Sequence, residues 1–328
     1  MVEGYRRGDT RSAGHDVSLI KFPRKKPHPL ILSRAVAICV LAFAVAPSLR
    51  AQMDPFFTAI NYPARKDSVM IMPLLDFQTA RSGPNFFTEM GMVEYGVTSR
   101  WTVDYMAEGQ KIFGLPATFG GQRFGTYFRL FPRDHLLNFT LYAEYEYLNR
   151  ASLYKMEVSG FGGEDLVGSL SVARRSAAHT LEERAIMYHD WGRVNLTFNF
   201  ISETGFENHE NDFGYASGIF RQPKWMGTSM EKGAMGMPGM RAPSRLSFER
   251  LGYGLEMVGA LGNDHHFGFV WHAEQQYLGP VFTYALSPRW SVRVEPAFGL
   301  SHVSDPVVLR LGAMYSIDHV ASRLARVF

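Results

Sequence analysis

Strict two-residue alternation of apolar and polar side chains constrains this chain more than any other feature. It is clearest from Ile186 to Glu203, where Val194, Leu196, Phe198 and Phe200 oppose Asn195, Thr197 and Asn199. Successive side chains of a strand point to opposite faces, so this stretch has one apolar and one polar wall. Asp190-Trp191-Gly192 reads as a tight turn within it, which makes the whole a hairpin.

The pattern recurs. Trp101, Val103, Tyr105 and Ala107 oppose Thr102, Asp104, Met106 and Glu108; Leu309, Leu311, Ala313 and Tyr315 oppose Arg310, Gly312, Met314 and Ser316. From Asp67 onward twelve segments read as strands: 67–79, 85–96, 100–110, 122–131, 135–148, 183–190, 193–204, 247–260, 266–275, 279–286, 289–300 and 307–317. Most show one apolar and one polar face, whereas 85–96 is mixed on both. Strands of roughly ten residues suit a tilted crossing of a bilayer. Val97-Thr98-Ser99, Pro132-Arg133-Asp134, Asp190-Trp191-Gly192, Gly262-Asn263-Asp264 and Ser287-Pro288 supply short turns at one end. The two longest connections, Asn149 to Glu182 and Gly205 to Leu246, fall in this scheme at the other end. These features predict an all-β fold, an antiparallel transmembrane β-barrel of about 12 strands with short periplasmic turns and long extracellular loops. Trp101, Tyr147, Trp191 and Trp290 stand at strand ends, where aromatic girdles form.

Other features fit this class. The longest apolar run, Ala35 to Ala46, has 12 residues, short of the about 20 that a membrane helix needs. Lys21, Arg24, Lys25, Lys26 and Arg34 precede it and Pro47 to Ala51 follow, the order of an export signal cleaved after Ala51. The expected organisation is a signal peptide over 1–51, a periplasmic lead-in over 52–66, the barrel over 67–317 and a periplasmic tail over 318–328. Residues 1–51 hold nine Lys/Arg and three Asp/Glu of the chain's 34 and 31, so the remainder is slightly acidic and nucleic acid is not an expected partner. The single cysteine, Cys39, lies in the leader. Outer-membrane lipid, the barrel-insertion machinery and a small-molecule cargo are the expected partners, and no cofactor is expected.

The polar faces name the candidate lumen. Asp104, Glu108, Glu144, Glu146, Glu256 and Glu295 would share it with Arg129, Arg250, Arg293 and Arg310, beside Asn195 and Asn199. Charges enclosed in a narrow bore must pair and hydrogen-bond, whether they fill the lumen or select what crosses it.

Three stretches carry a family resemblance: EYGVTSRWTVDY (Glu94 to Tyr105), YHDWGRVNLTFNF (Tyr188 to Phe200) and the long end from Tyr277 to Ile317. They resemble a broad group of Gram-negative outer-membrane barrels of transporter type, similar to the phenol-degradation-pathway outer-membrane proteins. The resemblance implies a passive channel for a small, apolar or aromatic molecule, and no catalytic residues. Barrel chains of this kind end on their last strand, whereas here Asp318 to Phe328 follows it, so the insertion machinery is expected to read the strand ending near Ile317.

The remaining candidates are local. Met226, Met230, Met235, Met237 and Met240 lie within 18 residues, and clustered thioethers suit Cu(I), which supports an alternative reading as a non-transporting, metal-handling barrel with a Met-rich outer loop. The bland reading of that loop is a flexible apolar filler. His302 and Ser304, two apart, share a strand face and suggest a hydrolase pair, but no third group orients the His. His179 and Glu183 stand one helical turn apart if 169–184 is a helix, yet two ligands do not make a metal site. His265, His266 and His272 read as turn and lumen polar groups. No nucleotide-binding glycine loop, zinc pattern or nucleophile elbow is present, and the chain is not expected to be an enzyme.

Overall fold

The computed structural model describes residues 55–79, 85–131, 135–149, 178–224, 246–287 and 289–321. Twelve strands lie among them: β1 (Ser68–Thr79), β2 (Phe86–Gly96), β3 (Trp101–Ile112), β4 (Ala117–Arg129), β5 (Asn138–Leu148), β6 (His179–Trp191), β7 (Val194–Gly205), β8 (Asn211–Arg221), β9 (Leu251–Asn263), β10 (Gln276–Ala285), β11 (Trp290–Gly299) and β12 (Val307–Asp318). Each pairs antiparallel with its sequence neighbours, and β1 pairs with β12 to close the barrel. No helix among the described residues is long and apolar enough to cross a membrane.

The faces are inverted relative to a water-soluble barrel. Leu196, Phe198, Phe124, Phe128, Leu255 and Phe282 are exposed on the outside, while Asn195, Thr197, Asn199, Arg123 and Glu256 are buried inside. Closure leaves no open sheet edge and puts an apolar wall outside, so the fold is that of a transmembrane β-barrel. Trp101, Trp191 and Trp290 ring one end, that of the 97–100, 192–193 and 286–289 turns, where β1 begins and β12 ends.

Two of the expected segments are corrected. Residues 211–221, expected within a long loop, form β8, and 266–275, expected as a strand, is part of the β9–β10 connection. β8 hides because most of its inward positions, Gly214, Ala216 and Gly218, are small: a Cβ at Gly218 would collide with the ring of Phe56. In 266–275 the alternating Phe267, Phe269 and Trp271 are exposed, and turns close the backbone, with Ala273 N and Glu274 N both donating to the Val270 carbonyl. Alternation there reflects aromatic exposure rather than strand pairing.

The exchange moves the loops. β5 ends and β6 begins opposite the end bearing the termini, as expected, but β8 ends and β9 begins at that end. The two longest connections therefore join strands at opposite ends, and the second does not start from the outer end when the short turns face inward.

Inside, the barrel has two unlike halves. Ile201, Ala216, Phe220, Val258, Val281, Ala297 and Val308, from β7 to β12, pack on Phe56 and Ala59 as an apolar core. The β1 to β6 half carries most of the charge.

Candidate functional site: the lumen and the segment within it

Residues 56–66, expected as a lead-in outside the barrel, run inside it and are tied to seven of its strands, β2, β3, β6, β7, β9, β11 and β12. The reason is an unmet backbone: a segment outside any ladder needs acceptors for its N–H groups, and the inward polar rows provide them. Glu256 accepts from Phe57 N, Thr58 N and Ala59 N at 3.0, 2.8 and 2.6 Å. Asn199 acts as a strand edge to Ile60, accepting from its N at 2.6 Å and donating to its carbonyl at 3.0 Å. Tyr62 donates its hydroxyl to Asp190, and Asn195 donates to the same two groups. Ala64 N donates to Glu94 at 3.0 Å. Arginines hold the carbonyls: Arg184 donates to Thr58 O at 2.6 Å and Arg293 to Phe56 O. The guanidinium groups of Arg293 and Arg310 also stack on Phe57, 4.6 and 5.0 Å from its ring centre.

Opposite this segment, Arg123 lies between three carboxylates, 3.3 Å from Glu108, 3.6 Å from Glu144 and 2.5 Å from Glu146. Glu182 holds Arg184 at 2.5 Å, and Arg310 lies 3.3 Å from Asp76 and 3.8 Å from Glu295. Between the segment and this wall remains a cavity of about 130 Å³, bounded among others by Met72, Met90, Met92, Met106, Glu108 and Arg123.

Of the residues singled out from the sequence, Asp104, Glu108, Glu144, Glu146, Asn195, Asn199, Glu256, Arg293, Glu295 and Arg310 are all buried, on inward rows of their strands. Arg129 is half-buried at the end of β4 and donates to Tyr188 at 2.6 Å. Arg250 lies before β9 and donates to the carbonyls of Ala285 and Leu286, bracing the β10–β11 turn. Sequence reasoning missed Arg123, Arg184, Glu182 and Asp76. Asp76 and Arg310 face each other across β1 and β12, and that register was the missing information.

Other candidates separate. Met226, Met230, Met235, Met237 and Met240 lie outside the described residues. His302 is exposed and Ser304 fully buried in a bend, with Ser304 Oγ donating to Gln276 O at 2.9 Å, so the two do not share a face. His179 and Glu183 lie on β6, not on a helix, and His179 pairs with the Tyr145 hydroxyl at 2.6 Å. His265 contacts Asp264, and all three of His265, His266 and His272 are in the β9–β10 connection.

No family model matches this sequence, and no curated protein does. Solved structures with a similar outline include an outer membrane channel from Pseudomonas putida F1, 10% identical, with a TM-score of 0.46, over 81% of this chain and 100% of that one. The KdgM porin in complex with disordered oligogalacturonate is 6% identical with a TM-score of 0.44, over 76% and 99% of the two chains. The NanC porin is 8% identical with a TM-score of 0.44, over 75% and 98%.

Proposed function

We propose that this protein is a passive channel of the outer membrane for a small molecule, with a bore set by its own N-terminal segment. The observation that carries this is the asymmetric lumen. Phe56 and Ala59 pack against an apolar cluster from β7 to β12, and the cavity beside residues 56–60 is bounded by charged side chains of β1 to β6 together with Glu203, Arg293 and Arg310. A barrel serving only as structure has no need to keep a cavity beside a buried charge network. The lining sets Glu108, Arg123, Glu144, Arg184 and Arg310 beside thioethers and the rings of Phe57, Tyr127 and Tyr142, which supports a solute with both a polar or ionic and an apolar part.

Export and processing belong to the same reading. Cleavage after Ala51 would leave Gln52 as the first residue, three before Pro55, a length that lets the new N-terminus enter the barrel. The test is conductance in planar bilayers. Wild-type protein should give small discrete steps, and Glu256→Gln combined with Asn199→Ala, which strips acceptors from residues 57–60, should enlarge them. Silence from both proteins would sink the reading.

A further inference from the structure

We infer that the inward face of β1, β2 and β3 is a binding site for a soft monovalent metal ion of the Cu(I) or Ag(I) type, held by the thioethers of Met72, Met92 and Met106. This rests on the channel reading for passage, though not for binding.

The argument begins with register. Met72 lies directly opposite Met92 across β1 and β2, and Met92 directly opposite Met106 across β2 and β3. All three are on inward rows, and all three line the cavity, with Met90 two residues along. Opposed residues on adjacent strands have Cβ atoms about 5 Å apart, within which flexible thioethers converge readily. Three convergent thioethers form the donor set that selects Cu(I) over hard cations.

Charge is the second, independent observation. One row toward the termini, Glu94 lies directly opposite Asp104, and one row the other way Glu108 lies beside Met90. Like charges directly opposed destabilise a sheet. Glu94 is engaged by Ala64 N and Glu108 by Arg123. Asp104 is 7% exposed, and neither of its oxygens makes a hydrogen bond of good geometry, although the Gly125 amide and Tyr127 hydroxyl lie beside it. A cation in the Met row would sit between these carboxylates. Arg123, directly opposite Met106 across β3 and β4, does not oppose this, because three carboxylates already surround it. Methionine as mere apolar filler explains the thioethers alone. It does not explain why their row runs between the Glu94–Asp104 pair and Glu108 on a cavity wall.

The experiment uses full-length protein in detergent titrated calorimetrically with Ag(I) nitrate, which needs no reductant. The variants are Met72→Leu/Met92→Leu/Met106→Leu, nearly isosteric in the core, and a second protein with Leu at the five methionines of 226–240. Wild type should bind Ag(I), the lumen variant should lose one equivalent, and the second protein should keep it. Unchanged binding in the lumen variant, or none in wild type, overturns the inference. Bilayer recordings separate the two readings. Binding lost in the lumen variant with no conductance in any protein overturns the channel and leaves the site. Conductance with binding unchanged in that variant overturns the site and leaves the channel.

Discussion

At the scale of single residues, Glu256 organises the interior. Three consecutive N–H groups converge on one buried carboxylate. Hydrogen bonds to a charged partner contribute about 1.5–3 kcal/mol each, and removing the acceptor leaves buried donors unsatisfied. Glu256→Ala should therefore loosen residues 57–59 by at least about 2 kcal/mol, read as faster amide exchange there with the strand amides unchanged, and Glu256→Gln by less. Glu207, in the connection between β7 and β8, answers to pH. Burial pushes its carboxyl up, but the His179 and Ala178 backbone N–H groups outweigh burial and hold it below the usual carboxylate value of 4.5. A folded-state value depressed in this way contributes stability above the ordinary value and loses it as pH falls through the lowered one. The protection of the Ala178 and His179 amides, taken relative to the intrinsic exchange rate at each pH, should fall in acid below that point. Glu207→Gln should abolish the pH dependence of that protection, and a protection profile unchanged by that variant would refute the assignment.

Among the elements, alternation was legible where large apolar residues face lipid, and illegible where the interior demands something small. β7 could be read from Leu196 and Phe198, while β8 escaped because Gly218 yields to Phe56, a residue distant in sequence. The stretch 266–275 shows the converse, since Phe267, Phe269 and Trp271 alternate without any strand partner. The expected total of twelve strands was met through these two offsetting errors. The lumen residues on regular strands were legible for the same reason as the fold, but the inserted segment was not. Residues 56–66 hold no periodicity, and their place depends on acceptors supplied from seven strands. The distinction between β8 and 266–275 can be tested by insertion. A four-residue insert after Trp271 should leave a barrel that resists unfolding in cold detergent on electrophoresis. The same insert after Ala216 should shift every inward residue beyond it out of register with β7 and β9, and should abolish that resistance.

For the whole molecule, the reassigned strands put both flanks of the Met-rich stretch at one end of the barrel. Its flanks, Lys224 and Leu246, adjoin the end of β8 and the start of β9, at the end that carries the short turns 97–100, 192–193 and 286–289. Barrels keep short turns and termini in the periplasm, so a soft-metal segment there would face the compartment from which the N-terminal segment enters the lumen. It would then lie on the periplasmic side of the Met72, Met92 and Met106 row, suited to delivery toward the bore or receipt from it, and not to capture outside the cell. Labelling decides this. Cys39, the chain's single cysteine, lies in the proposed leader, so an introduced cysteine would be the mature protein's sole thiol. On intact cells a membrane-impermeant maleimide should label Asn208→Cys, in the β7–β8 connection, and should leave Thr98→Cys and Met230→Cys unlabelled until the outer membrane is permeabilised. Labelling of Met230→Cys on intact cells while Thr98→Cys stays protected would place the Met-rich stretch outside and break its link to the lumen. Labelling of Met230→Cys and Thr98→Cys together, with Asn208→Cys protected, would invert the barrel.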